Sequence, residues 1–265
     1  MKAITQQPIG IFDSGIGGTS IWKEIHQLLP NENTIYLSDS KHAPYGQKST
    51  KEIIDLSIKN TDFLIKKGAK VIVVACNTAT TNAIEFLRNN YAIPFIGIEP
   101  AIKPASLNTK TGTIGILATK GTLNSALFEK TTSSLNNEIN IVERVGEGLV
   151  ELIENGDIYS KKMTTLLKKY ITPMLEEKCD YIVLGCTHYP YLLPQIQKIT
   201  GNKVKIIDSG EAVAKQVKKI LQQQNLLNSI TSKQPNNTFY INKDVRVLEA
   251  MLKDYENCEI SFLNF

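Results

Sequence analysis

The sequence lacks most of the features that mark specialised protein classes. No run of apolar residues approaches the roughly eighteen of a membrane span, so no membrane partner is expected. Four cysteines in 265 residues are too few for a disulfide scaffold, and no pair has zinc-ligand spacing, so no metal site is expected. Charge of one sign is scarce too: 30 basic residues face 26 acidic ones, a net +4. The Lys-Lys pairs at 66–67, 161–162, 168–169 and 218–219 fall in helical-looking segments and read as solvated faces, not as a nucleic-acid patch. The opening Met1 to Gln7 has no apolar core of a signal peptide, which predicts a cytoplasmic protein. There is no nucleophile elbow in Ser-His-Asp order, and no lysine stands out as a Schiff-base partner for pyridoxal phosphate.

What is present is one pattern written twice. Val71 to Val74 leads into Ala75-Cys76-Asn77-Thr78, and Tyr181 to Leu184 leads into Gly185-Cys186-Thr187-His188. Short, unbroken apolar runs rich in β-branched residues read as strands buried on both faces of a parallel sheet. Each cysteine therefore arrives at a carboxyl end, where open α/β sheets bind ligands. A single buried cysteine is more often structural than reactive. Two of them, each followed by polar groups at a strand end, favour reactivity, because thiols need a polar setting to react. Cys179 and Cys258 lack that setting and read as packing thiols.

The rest of the chain alternates strand and helix. A strand over Pro8–Asp13 runs into Ser14-Gly15-Ile16-Gly17-Gly18, then a helix from Ile21 to Leu29 with Thr19 or Ser20 as its cap. A strand over Thr34–Asp39 is followed by a Pro- and Gly-containing loop with His42, Pro44, Tyr45 and Gly46. A helix opening at Ser49 or Thr50, the Cys76 strand, a helix over Thr80–Asn89 and a strand over Pro94–Ile98 complete the first half. The rhythm restarts at Thr113, with Thr119 and Thr122 after a strand, a further strand near Ile139, a helical region from Gly148 to Glu177 broken near Gly156, and the Cys186 strand. Asp13 precedes Cys76 by 63 residues and Thr119 precedes Cys186 by 67. These spacings predict an α/β fold of two similar domains, with mostly parallel sheets flanked by helices and a cleft between them. The expected boundaries are 1–98 plus 212–265 for the first domain and 99–211 for the second. The tail is read as a helix, a polar loop from Asn225 to Asn237, then a strand and a helix packing back on the first domain.

The Gly15-x-Gly17-Gly18 turn invites a nucleotide reading, and Asp39 stands near where a ribose-binding acid would. Against it, Asp13 would repel a pyrophosphate, and the third glycine position holds Ser20. An aspartate beside a thiol fits ammonium binding or proton transfer better, with helix capping as the plain structural alternative. His26 reads as a structural residue on a helix and His42 as undecided. His188, two residues after Cys186, reads as tuning that thiol. Two thiols on opposite walls of a cleft suit inversion at carbon: one sulfur takes a proton from one face while the other delivers one to the opposite face.

The ordered set Phe12-Asp13-Ser14-Gly15-x-Gly17-Gly18, Pro44-Tyr45-Gly46, Ala75-Cys76-Asn77-Thr78, Gly97-x-Glu99-Pro100, Gly185-Cys186-Thr187-His188 and Asp208-Ser209-Gly210 resembles the glutamate racemases. These are cofactor-independent, two-cysteine enzymes of the aspartate/glutamate racemase superfamily. The likeness spans roughly residues 8 to 212. It implies interconversion of L- and D-glutamate without pyridoxal phosphate or metal, supply of D-glutamate for peptidoglycan, and a homodimer. It also implies that Cys76 and Cys186 are the acid/base pair, assisted by Asp13 and His188. Asp13, Ser14, Tyr45, Gly46, Asn77, Thr78, Thr187 and His188 would contact substrate. Thr119 and Thr122 match a Thr-x-x-Thr stretch near the substrate carboxylate, Glu154 matches a glutamate on the His188 side, and His42 stands at a variable position. The competing readings are a racemase for aspartate or another small acid, and a two-lobed binder of a small acid without chemistry.

Overall fold

The computed structural model describes residues 4–135, 138–229 and 234–265. The first half runs β1 (Ile9–Asp13), α1 (Thr19–Leu28), β2 (Thr34–Ser38), α2 (Thr50–Lys66), β3 (Val71–Val74), α3 (Asn77–Asn90), β4 (Phe95–Gly97) and α4 (Ile102–Asn108). Then come β5 (Thr113–Ala118), α5 (Lys120–Leu123), α6 (Ala126–Ser133), β6 (Asn140–Val145), α7 (Leu149–Glu154), α8 (Lys161–Glu176) and β7 (Tyr181–Gly185). The chain closes with α9 (Leu193–Thr200), β8 (Lys205–Ile207), α10 (Gly210–Gln223), β9 (Asn237–Ile241), α11 (Arg246–Leu252) and β10 (Cys258–Phe262).

Two sheets form, and every strand pairing in both is parallel. The first has the order β10-β9-β2-β1-β3-β4, the second β6-β5-β7-β8. With each sheet counted from its own first strand, both contain the order second-first-third-fourth. That order reverses direction between the first and third strands, the point at which ligands settle in open α/β sheets. The third strand is β3 in one sheet and β7 in the other, and each runs directly into its cysteine. Every residue of β1 and β3 is buried, because helices cover both faces; this is why their sequences are apolar without alternation.

Several local expectations need correction. The helix after the glycine turn begins at Thr19, but neither proposed cap caps it. The Thr19 hydroxyl donates to Ile16 O, and that of Ser20 donates to Thr187 O on the second sheet's side. The helix expected from Thr80 starts at Asn77, three residues earlier, because Cys76 itself is the N-cap, its Sγ accepting the Ala79 N–H at 3.4 Å. Asn77 and Thr78 thus stand on a helical first turn instead of in a loop. Ser49 does cap α2, in a reciprocal arrangement with Glu52. The tail contains one strand more than the pattern suggested: β10 follows α11 and pairs with β9 at the sheet edge. Residues 230–233 of the loop expected over 225–237 lie outside the described residues, as do the first three residues of the opening segment.

Candidate active site

The glycine turn after β1 is shaped by what presses on it. A Cβ on Gly15 would lie 2.0 Å from Glu154 Oε1, and one on Gly17 would lie 2.2 Å from His188 Nδ1. The space a phosphate would need is filled by an acid and an imidazole from the second half of the chain. Tyr36 steadies the turn by donating its hydroxyl hydrogen to Gly15 O at 2.7 Å.

Asp13, at the tip of β1, is completely buried. Its Oδ2 accepts the N–H of Gly18 at 2.8 Å and of Gly15 at 3.3 Å, and its Oδ1 accepts the Thr187 hydroxyl at 3.3 Å. Burial outweighs these donors and the nearby His188 and raises the Asp13 carboxyl from 3.8 to about 6. Cys76, also buried, directs its S–H toward Ser14 Oγ at 3.6 Å. Burial, and next the Asp13 charge, push this thiol well up, so Cys76 rests as a proton donor.

Cys186 is set differently. Its sulfur lies 3.7 Å from His188 Nδ1, while His188 Nε2 lies 2.6 Å from Glu154 Oε1. Gly17 N–H also points at Nε2, from 3.2 Å, but one nitrogen cannot donate to Glu154 and accept from Gly17. The shorter contact, to a carboxylate, decides: Nε2–H donates to Glu154. Nδ1 is then left to share a proton with Cys186. Burial pulls the imidazole pKa down, but the bonds to Cys186 and Glu154 outweigh it and raise it well above its ordinary value. Glu154 is held in turn by Ile16 N–H at 2.7 Å and the Ser40 hydroxyl at 2.6 Å, so the first sheet's loops fix the second sheet's acid.

Both cysteines line one small cavity, together with Ser14, Tyr45, Gly46, Asn77, Thr78, Thr119, Thr187 and His188. Asp13, Thr122 and Glu154 stand behind this wall instead of on it. Thr78, Thr119 and Thr122 bring three hydroxyls from the two halves within 2.8 to 3.3 Å of one another. Asn77 is 3% exposed, and neither atom of its amide has a hydrogen-bond partner among the described residues. A buried amide left this way is costly unless a ligand meets it. The cavity measures about 10 Å³, enough for about one water. A vestibule of about 640 Å³ adjoins it, sharing Pro44, Gly46, Thr119 and Val150, and no sulfur lines that larger space.

The remaining residues singled out from the sequence divide cleanly. His42 does not line the cavity; its Nδ1 lies 2.6 Å from Asp39 Oδ1. His26 stacks on Trp22 in the core, and Cys179 is buried there. Missed by sequence reasoning were Ser40, which reaches Glu154, Val150, which lines the cavity, and Asp39, which accepts the Tyr45 hydroxyl at 2.5 Å. Only Asp39 carried a signal, an acid at a strand end, and it pointed to the wrong chemistry. Among the described residues, no three His, Cys, Asp or Glu side chains cluster as a metal site would require, and no helix is long and apolar enough to cross a membrane.

The Asp/Glu/Hydantoin racemase family model matches residues 9–217. The glutamate racemase of Ectopseudomonas mendocina is 42% identical over 249 residues, covering 94% of each chain. The crystal structure of glutamate racemase isoform RacE1 from Bacillus anthracis superposes with a TM-score of 0.87 at 31% identity over 98% of each chain. That of Escherichia coli glutamate racemase, solved with L-glutamate and the activator UDP-MurNAc-ala, gives 0.84 at 30% identity, covering 98% of this chain and all of the other.

Proposed function

Since the chain belongs to the Asp/Glu/Hydantoin racemase family, we propose that it interconverts L- and D-glutamate by proton transfer between two thiols, and that the D-glutamate serves peptidoglycan synthesis. The observation that carries this reading is one cavity walled by both Cys76 and Cys186, which are supplied by two different sheets at equivalent positions.

In this reading the substrate carboxylate takes the unpartnered Asn77 amide and the Thr78 and Thr119 hydroxyls, backed by the Thr122 hydroxyl bonded to both, and these groups also spread the charge that develops on deprotonation. The ammonium meets Ser14 and the Asp13 side, and Tyr45, Gly46 and Thr187 complete the contacts. The α-carbon lies between the sulfurs. The enantiomer whose hydrogen faces Cys186 gives it to the sulfur that lies 3.7 Å from His188 Nδ1, and the Cys76 thiol protonates the opposite face. For the reverse reaction Cys76 must first lose its proton, and Asp13, near 6, is placed to assist. Thiols suit both roles because a neighbour moves their acidity across the neutral range. The 10 Å³ cavity cannot hold glutamate, so the cleft widens for substrate to enter and leave. The four cysteines are all free. That suits the cytoplasm, where thiols stay reduced, and a homodimer there completes the reading.

The test is direct. Pure protein should convert either enantiomer of glutamate to the racemate, with L-aspartate as the control for substrate preference. Cys76→Ala and Cys186→Ala should each abolish conversion with the circular dichroism of the fold retained. The serine variants should be nearly as inactive, since a hydroxyl is far less acidic than a thiol. Conversion by either alanine variant at the wild-type rate would overturn the proposal.

A further inference from the structure

Among the described residues, the tail contributes none to the site described above, yet one of its side chains is tied to two of the site's walls. In the parallel register of β2 with β9, Ser38 stands beside Ile241, so the residues that follow, Asp39 and Asn242, meet at the carboxyl ends. Asn242 is 5% exposed. Its backbone N–H donates to Ser38 O at 3.3 Å, its Oδ1 accepts the Lys41 N–H at 2.8 Å, and its Nδ2 donates to Asp39 Oδ1 at 2.5 Å. These three bonds clamp the turn 38–41 from both sides of Ser40.

Two lines of contact leave that turn for the chemistry. Through one, the Ser40 hydroxyl donates to Glu154 Oε2, and Glu154 holds the imidazole beside Cys186. Through the other, Asp39 Oδ2 accepts the Tyr45 hydroxyl at 2.5 Å, with Asn60 Nδ2 donating to the same phenol oxygen at 3.3 Å, and Tyr45 and Gly46 wall the cavity. We propose that Asn242 is a positioning residue of the racemase site: through the turn 38–41 it aligns the Glu154–His188 pair on one wall and Tyr45-Gly46 on the other. The inference rests on the racemase reading above. The side-chain type fits the task. One amide accepts from a backbone N–H and donates to a carboxylate at the same time, which neither an aspartate nor an apolar residue of this size can do.

The test compares the full-length wild type with Asn242→Ala, Asn242→Ser, Asn242→Asp and the exchange Asp39→Asn/Asn242→Asp. Kinetics are run for both glutamate enantiomers at a temperature where circular dichroism shows each variant folded. Asn242→Ala should lose about 10- to 100-fold in kcat/KM, the scale of an ångström-sized misplacement. The loss should be split between a raised KM, from the Tyr45-Gly46 wall, and a lowered kcat, from the Glu154–His188 wall. Asn242→Ser keeps a short donor and should lose less. Asn242→Asp sets a carboxylate against Asp39 and should lose at least as much as alanine. The exchange restores a donor–acceptor pair and should recover at least about 5-fold over Asn242→Asp, a coupling in the range seen for residues in contact. Unchanged kcat and KM in folded Asn242→Ala, with only a lower melting temperature, would overturn the inference and leave a plain structural residue. If the alanine variant does not fold, absence of recovery in the exchange relative to Asn242→Asp has the same consequence. The wild type measured alongside separates the two levels: if it fails to racemise glutamate, the reading of the site falls and the inference with it. If it racemises and the variants match it, the inference alone falls.

Discussion

At the scale of single residues, the site is built from charges held where burial opposes them. Asp13 shows this most plainly, because its folded-state value of about 6 stands above the ordinary 3.8. An acid raised in this way binds its proton more tightly folded than unfolded. Its ionisation therefore costs stability, fully above about pH 6, and the cost disappears as pH falls toward 3.8. The difference corresponds to about 3 kcal/mol. Asp13→Asn should consequently melt a few degrees higher than wild type at pH 8, with the gap closing by about pH 4, as thermal melts across pH would show. The same variant should lose ~10²–10⁴ in turnover, the range for a placed proton-transfer group. His188→Asn should lose a similar amount, with its larger effect on the opposite direction of racemisation. A stabilised but inactive Asp13→Asn is the expected signature. An unchanged melting profile would remove Asp13 from the role assigned here.

At the scale of elements, the glycine turn after β1 is the seat of the second sheet's acid and imidazole. Gly17→Ala would drive a Cβ into His188, and its activity should fall about 100-fold, as expected of an ångström-sized displacement. A far-UV spectrum unchanged from wild type would confirm that the loss is local; full activity would show that the contact between turn and imidazole is dispensable. The strands carrying the cysteines were legible in the sequence because burial on both faces leaves an unbroken apolar run, and the doubled pattern followed from that. What stayed hidden had physical reasons. Cys76 was not seen as a helix cap, because a thiol is a weak acceptor and caps are expected from Ser, Thr, Asp or Asn. Thr19 and Ser20 looked like caps but spend their hydroxyls on Ile16 and on the second half of the chain. β10 escaped because it is a short edge strand, and its alternating Cys258–Phe262 run lacks the unbroken apolar stretch that marks the inner strands. Ser40 and Asn242 act through partners 114 and 203 residues away, distances at which local pattern carries nothing.

At the scale of the whole molecule, the first sheet is gathered by a buried ion pair and the two sheets meet at the thiols. Lys70 Nζ donates to Glu32 Oε2 at 2.5 Å, to Thr5 O at 2.6 Å and to Leu226 O at 2.9 Å, joining four distant segments. Lys70→Ala would strand the Glu32 carboxylate in the core and should cost about 3–5 kcal/mol in denaturant unfolding. Lys70→Met with Glu32→Gln, which leaves no buried charge, should cost less; equal losses would show that the pair's charge is not what matters. In the proposed reading, catalysis depends on the other meeting point, where Cys76 and Cys186 face one cavity from two sheets. The measurement that tests this most directly is racemisation in heavy water, with deuterium at the α-carbon followed early in the reaction from each enantiomer. Two thiols acting from opposite faces predict deuterium in the product from the first turnovers, while the remaining substrate stays largely unlabelled. Early and equal labelling of substrate and product would mean a single base reaching both faces, and would contradict the account.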